Sequence, residues 1–321
     1  MNRYENTTVA VTGASGYLAS VLIDAIKRTP ARIVRVSRAA LAPLSGTEAL
    51  QADIRLKDCW ERIVATADVI FHLAGNTSVY HAAKDPADSL NSTVLPITHL
   101  VAATRAAGRR PRVVFASTAT VYGLPDRLPV SEEQEPHPVT IYDLHKLFAE
   151  RQLELASKHD LLEGVCLRLA NVYGPSAATS SASDRGILNR ISTWALQGRS
   201  LRLYGDGNYL RDYVYVEDVA RAFVAAGASP GVSGRSFNVA SGKGTTVRDA
   251  FALVADRAAA VTGRRVGIES VPWPEDADPI EFRNFVAATT GLAGATGWQP
   301  TIDLNEGIDR MISSISGRRV T

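Results

Sequence analysis

Cysteine is scarce in this chain, with only Cys59 and Cys166 among 321 residues. Two thiols make neither a metal cluster nor a disulfide framework. Cys166 lies in the apolar run GVCLRLA, where a buried structural thiol is expected. Long apolar runs are also missing: nothing approaches the ~18 residues of a membrane helix. The opening MNRYENTTVAVTG lacks the apolar core of a secretory signal. Charge of one sign is not in excess. A net charge of +2 argues against nucleic acid or a membrane surface as partner. Lysine is rare, at six residues, so arginine carries most of the positive charge, a skew of base composition rather than a binding patch. The expectation is a cytoplasmic protein with no targeting segment, no metal and no membrane contact.

What is present is alternation. TTVAVT (7–12), RIVRVS (32–37), DVIFHLA (68–74), RVVFAS (112–117) and GVCLRLA (164–170) are short, almost wholly apolar and rich in β-branched residues. Such runs suit strands buried on both faces of a parallel sheet. Between them, GYLASVLIDAIKRT (16–29), SLNSTVLPITHLVAATRAAG (89–108) and IYDLHKLFAERQLELASKH (141–159) carry helical periodicity. The pattern predicts an α/β protein with a Rossmann-type, doubly wound parallel sheet. Residues 1–170 are expected to form the dinucleotide-binding domain. Residues 171–321 are expected to form mainly a smaller α/β substrate-binding domain, with some segments returning to the first core. There SAATSSASD (176–184) is read as a flexible polar loop, SLRLYGDG (200–207) as a strand, and 186–198, 216–227 and 247–263 as helices.

VTGASGYLA (11–19) places Gly13 and Gly16 after the first strand and at the start of the first helix. The tight turn needs a residue without Cβ, and close approach to a pyrophosphate needs another. The helix N-terminus then offers free N–H groups to the anion. Ala19 stands where a third glycine is usual. The second strand ends in Ser37-Arg38 rather than the acidic residue that holds an NAD ribose. A guanidinium there suits a 2′-phosphate. The cofactor is thus NAD or NADP, with a lean to NADP. Asp53, in LQADI, can accept from the adenine amino group.

YDLHK (142–146) sets Tyr142 and Lys146 on one helix face, one turn apart. An ammonium there lowers the phenol's pKa and fits it to exchange a proton with a substrate hydroxyl. TGASGYLA, LAGNTS, STATVYG and YDLHK occur in that order, followed by RLANVYGP and GDGNYLRDYVYVEDVA. Together they resemble the extended short-chain dehydrogenase/reductase family, in particular its nucleotide-sugar epimerases and dehydratases, over nearly the whole chain. The resemblance implies that Tyr142 is the catalytic acid/base, Lys146 its partner and holder of the nicotinamide ribose, and Thr118 the hydroxyl that binds the reacting sugar oxygen. It places Ser15, Tyr17, Leu18, Ile54, Leu73, Ala74 and Gly75 on a tightly bound dinucleotide. It places Ser78, Tyr80, Thr120, Asn171, Leu188, Arg211 and Arg283 on a nucleotide-sugar substrate. Asn171 and Arg211 would reach the diphosphate, and Leu188 with Asn189 would face the base. Asp212 and Asp218 are read as structural. A homodimer through the two long helices is also implied.

The chain departs from its relatives in informative ways. The family's 4,6-dehydratases carry Asp-Glu after the active threonine, whereas here the pair is Ala119-Thr120. Neither protonates a leaving hydroxide, which argues against ordinary 4,6-dehydration. Against an ordinary 4-epimerase stand Thr93 for the helix asparagine, His145 for the serine before the lysine, and Asp278 near an expected phosphate-binding arginine. Arg283 is the candidate replacement. His145 is read as packing, and Tyr80-His81 as a loop pair that could reach the sugar. The implied reaction is reversible oxidation at C4 through a transient 4-keto sugar, with nicotinamide as hydride acceptor and internal hydride return. The alternatives are a UDP-hexosamine 5,6-dehydratase giving an exo-glycal (the tunicamycin-pathway kind), an NADPH-dependent 4-ketoreductase and a non-catalytic dinucleotide sensor.

Overall fold

The computed structural model describes residues 4–176, 180 and 186–317. The polar segment read as a flexible loop therefore lies largely outside the described residues. In chain order the strands are β1 (Thr8–Thr12), β2 (Arg32–Ser37), β3 (Thr47–Gln51), β4 (Val69–His72), β5 (Arg112–Thr118) and β6 (Glu163–Leu169). Then come β7 (Asn171–Tyr173), β8 (Leu201–Tyr204), β9 (Leu210–Tyr215), β10 (Arg235–Val239), β11 (Gly244–Thr246) and β12 (Ile268–Val271). Seven of them form one sheet in the order β10-β6-β5-β4-β1-β2-β3, every neighbour parallel. This is the doubly wound sheet that the apolar runs imply, and its order reverses at β1 and β4.

Alternate residues of each strand feed opposite faces of the sheet. Val9, Val11, Phe71, Val114 and Leu167 pack on one side under helices Tyr17–Ile26 and Val216–Ala228. Ala10, Ile70, Val113, Phe115 and Cys166 pack on the other, under Lys57–Thr66, Pro86–Ala107 and Ile141–Lys158. All of β5 is buried, and each large apolar side chain so placed contributes roughly 1.5–3 kcal/mol. The free thiols are both buried, Cys166 in β6 as expected.

Helix Pro86–Ala107 begins earlier than the periodicity suggests. The Asp85 carboxylate accepts from the Asp88 N–H, and Pro86 takes the first helical position, where no N–H is needed. The helix continues through Pro96 to Gly108, which closes it in the left-handed conformation.

The later residues build smaller sheets, β11-β9-β7 and β12-β8. Their core holds Tyr173, Ile191, Leu201, Phe251, Ile308 and Met311. β10 and helix Val216–Ala228 return to the large sheet. Among the described residues, no helix is long and apolar enough to cross a membrane.

Candidate active site

The strand order puts the C-terminal ends of β1 and β4 side by side, where open α/β sheets bind ligands. A cleft of about 1180 Å³ opens there. Gly13 follows β1 at φ 68°, and a Cβ on it would come within 2.9 Å of the Ala74 nitrogen. The Gly16 N–H returns to the Gly13 carbonyl at 2.8 Å, and helix Tyr17–Ile26 starts with no side-chain cap. The helix thus keeps N–H groups for an anion, in a cradle that a side chain at 13 would fill. Ser15, Gly16, Tyr17 and Leu18 line the cleft, as do Ser37, Arg38, Asp53, Ile54, Leu73, Ala74 and Gly75. These residues fit a dinucleotide.

Asp53 is already engaged. Its carboxylate accepts from the Arg55 side chain at 2.6 and 3.0 Å and from the Arg55 N–H at 3.0 Å. The hydrogen bond from Arg55, working against burial, holds its pKa below the ordinary value.

At the far end of the cleft stand Thr118, Tyr142 and Lys146. Thr118 ends β5, and Thr140 caps helix Ile141–Lys158 by accepting from the Asp143 N–H, so that Tyr142 falls in the first turn. The Lys146 ammonium donates to the Ala116 carbonyl at 2.8 Å and lies 5.9 Å from the Tyr142 ring centre. Burial brings its pKa down to about 8, with Glu150 opposing. Burial also raises the Tyr142 phenol, Asp143 adds to that, and a hydrogen bond with Thr118 opposes both.

A buried polar network supports these groups. Glu150 accepts from Ser117 and pairs with Arg168 at 2.7 Å. Arg168 donates to the Tyr122 hydroxyl at 2.9 Å, and Tyr122 donates to Asn238 at 2.9 Å. Thr118 bonds Thr120 at 2.8 Å, and Thr120 donates to Asp143. Sequence reasoning missed Glu150, Arg168 and Asp143. For Asp143 a signal was present, a carboxylate adjoining the tyrosine of YDLHK.

Other expected contacts fall elsewhere. Leu188 is 1 % exposed and packs with Ile191 and Leu201, so it does not present itself to a nucleotide base. The helical phase of Ile187–Leu196 turns it inward, and Asn189 beside it hydrogen-bonds the Gly174 backbone. Arg211 donates to the carbonyls of Leu210, Glu281 and Arg283, and Arg283 donates to Ile280 at 2.8 Å. The two arginines therefore sit together, outside the lining of the main cleft, as do Asn171, Thr120 and Tyr80. The Tyr80 hydroxyl reaches Glu281 at 3.4 Å. Ser78 does line the cleft, at the N-cap of Val79–Lys84.

His145 packs against Ser89 at 2.9 Å. Asp212 binds Ser241 and the Gly242 and Ala287 N–H groups. Asp218 pairs with Arg221 and fastens residues 301–302 rather than capping its own helix.

His72, at the end of β4, has a consequence for pH. Thr12 Oγ1 accepts from the Leu73 and Ala74 N–H groups, so its own proton goes to His72 Nδ1 at 2.7 Å. Nε2 has no partner among the described residues, and the ring is boxed by Trp60 and Phe115. Burial, aided by the nearby Lys146, drops the pKa from 6.5 to about 3. Between those values the unfolded chain takes up a proton that the fold refuses, so stability is lost as pH falls through that window. Urea midpoints measured against pH are expected to show this acid limb, and His72→Gln to flatten it.

The family model for "NAD dependent epimerase/dehydratase family" matches residues 9–240. The chain belongs to that family. A UDP-glucose 4-epimerase of Mycolicibacterium smegmatis is 31 % identical, over 94 % of this chain and 96 % of the relative. The UDP-glucose 4-epimerase of Thermotoga maritima, solved with UDP-glucose, superposes with a TM-score of 0.85 at 26 % identity, covering 97 % of this chain and 99 % of that one. The Thermus thermophilus UDP-glucose 4-epimerase, solved with NAD, gives 0.83 at 27 % identity, covering 97 % and 99 %. The protein is thus an NAD-dependent enzyme of the nucleotide-sugar epimerase/dehydratase group. The lean to NADP drawn from Ser37-Arg38 finds no support in these relatives: Arg38 is exposed at the rim of the cleft.

Proposed function

We propose that this epimerase/dehydratase is a UDP-hexose 4-epimerase using tightly held NAD. The observation that carries the reading is the company kept by Tyr142. Thr118 and Lys146 meet it at the end of the dinucleotide cleft, while positions 119 and 120 offer a methyl group and a hydroxyl but no carboxyl group to expel water. The relatives named above support UDP-hexose as the substrate class and NAD as the cofactor.

In this reading Gly13 and Gly16 cradle the pyrophosphate, Ser37 and Arg38 face the adenosine ribose, and Asp53 with Ile54 borders the adenine. Lys146 holds the nicotinamide ribose, and NAD bound there supplies a two-electron acceptor for C4 of the sugar. Thr118 orients the 4-hydroxyl. Tyr142 accepts its proton and later returns it to the C4 oxygen, once the 4-keto sugar has turned so that its other face would meet the nicotinamide. Asn171, Arg211 and Arg283 are assigned to the diphosphate, which requires their side chains to turn toward the cleft on binding. Homodimerisation is also part of the proposal, because Phe148, Leu155 and Leu90 stand exposed on the two long helices.

Incubation with UDP-glucose in D₂O, followed by proton NMR, tests the reaction. The expected product is UDP-galactose without deuterium at C5. Vinylic sugar protons would instead mean dehydration, and turnover only with added NADPH would mean net reduction.

A further inference from the structure

Two charged groups meet at the end of the cleft where Asp53 and Ile54 stand. One belongs to the turn after β3. There the Asp53 carboxylate holds the Arg55 guanidinium at 2.6 Å and also accepts from the Arg55 N–H at 3.0 Å. The other belongs to the first turns of two helices. Ser78 caps Val79–Lys84 by accepting from the His81 N–H, and Asp85 caps Pro86–Ala107 by accepting from the Asp88 N–H. So held, His81 Nε2 lies 3.0 Å from Asp88 Oδ2. Asp53, Arg55, His81 and Asp88 all line the same cleft.

Between the two groups, Arg55 Nη1 stands 3.7 Å from Asp88 Oδ1. That is within reach of an ion pair but too long for a hydrogen bond. The side chains grow more exposed along the line, from 21 % at Asp53 through 37 % at Arg55 and 40 % at Asp88 to 49 % at His81. The line therefore runs from the wall of the cleft to its mouth.

We propose that Arg55 and Asp88 form a strap that closes across this end of the cleft and retains the dinucleotide. Each side of the strap has a group to spare. Arg55 keeps Nε and Nη2 on Asp53 and has Nη1 left for Asp88. Asp88 keeps Oδ2 on His81 and has Oδ1 left for Arg55. A nucleotide seated beside Asp53 displaces water from the gap, and an ion pair is stronger out of water than in it. The strap then tightens over a filled cleft and must open before the nucleotide leaves, so its effect falls on release. Asp88 is a positioning residue in this device, because it acts through Arg55.

The inference rests on the reading that Asp53 and Ile54 border the adenine of a tightly held NAD, and the test separates the two. Holoenzyme loaded with radiolabelled NAD is chased with excess unlabelled NAD. Loss of label is timed for the wild type, Asp88→Asn, Arg55→Gln and the double variant. Asp88→Asn spares the helix cap, which Asp85 supplies. It is expected to lose label at least about threefold faster than the wild type, within the range of a partly exposed ion pair. The double variant is expected to lose label no faster than Arg55→Gln alone, since the two residues share one contact. Equal rates in the wild type and Asp88→Asn overturn the strap. So do effects that multiply in the double variant, which would mean that Arg55 and Asp88 act separately. A wild type that takes up no label would sink the cofactor reading, and the strap with it.

Discussion

Replacing Tyr142 by phenylalanine is expected to lower kcat at least ~100-fold, a usual contribution of a positioned acid/base group. The change keeps the ring and removes only the hydroxyl that meets Thr118. Burial and the neighbouring Asp143 both hold that hydroxyl as neutral phenol even with Lys146 5.9 Å from the ring. A cationic nicotinamide would add to Lys146 in favouring the phenolate. The variant keeps both of these and the whole phosphate cradle, so NAD content and UDP-glucose affinity are expected to change little. A fall in kcat at constant Kd marks an interaction made only in the transition state. Steady-state kinetics with UDP-glucose, together with a binding titration, give both numbers. Near-native turnover would mean that another group moves the proton.

Cutting Glu150 back to alanine is expected to cost roughly 3–5 kcal/mol of stability. Arg168 and Glu150 are 4 % and 3 % exposed and 2.7 Å apart. Removing the carboxylate leaves a guanidinium buried with only the Tyr122 hydroxyl as partner among the described residues, and takes away the acceptor of Ser117. The double replacement Glu150→Leu with Arg168→Met removes both charges and is expected to cost far less than the single change. Urea unfolding of the variants checks both statements. A loss below about 1 kcal/mol for Glu150→Ala would mean that the pair is hydrated rather than desolvated.

Much of this site could be read from the chain itself, and the reasons are local. Gly13 and Gly16 sit between a strand and a helix, so a turn and an anion cradle follow from chain geometry alone. Tyr142 and Lys146 share a face because a helix repeats every 3.6 residues. The Glu150–Arg168 pair was not legible in the same way. It joins a helix to β6, and Asn238 arrives from β10, so only the folded sheet brings them together. The burial of Leu188 was not legible either, because the inward face of a helix depends on what lies beneath it, here the core around Ile191 and Leu201. The lean to NADP is without support for a related reason. One exposed arginine at a cleft rim does not say which phosphate, if any, it meets.

The outermost strand of the large sheet comes from residues 235–239, long after the chain has left the first half. A gene fusion that spliced a foreign second half onto residue 170 would discard that strand. β6 would then show a bare row of N–H and C=O groups, open to sticking against other chains. An exchange of halves would therefore leave the sheet whole only where the incoming half brings an equivalent strand. Point changes and loop grafts that spare the returning strand remain open.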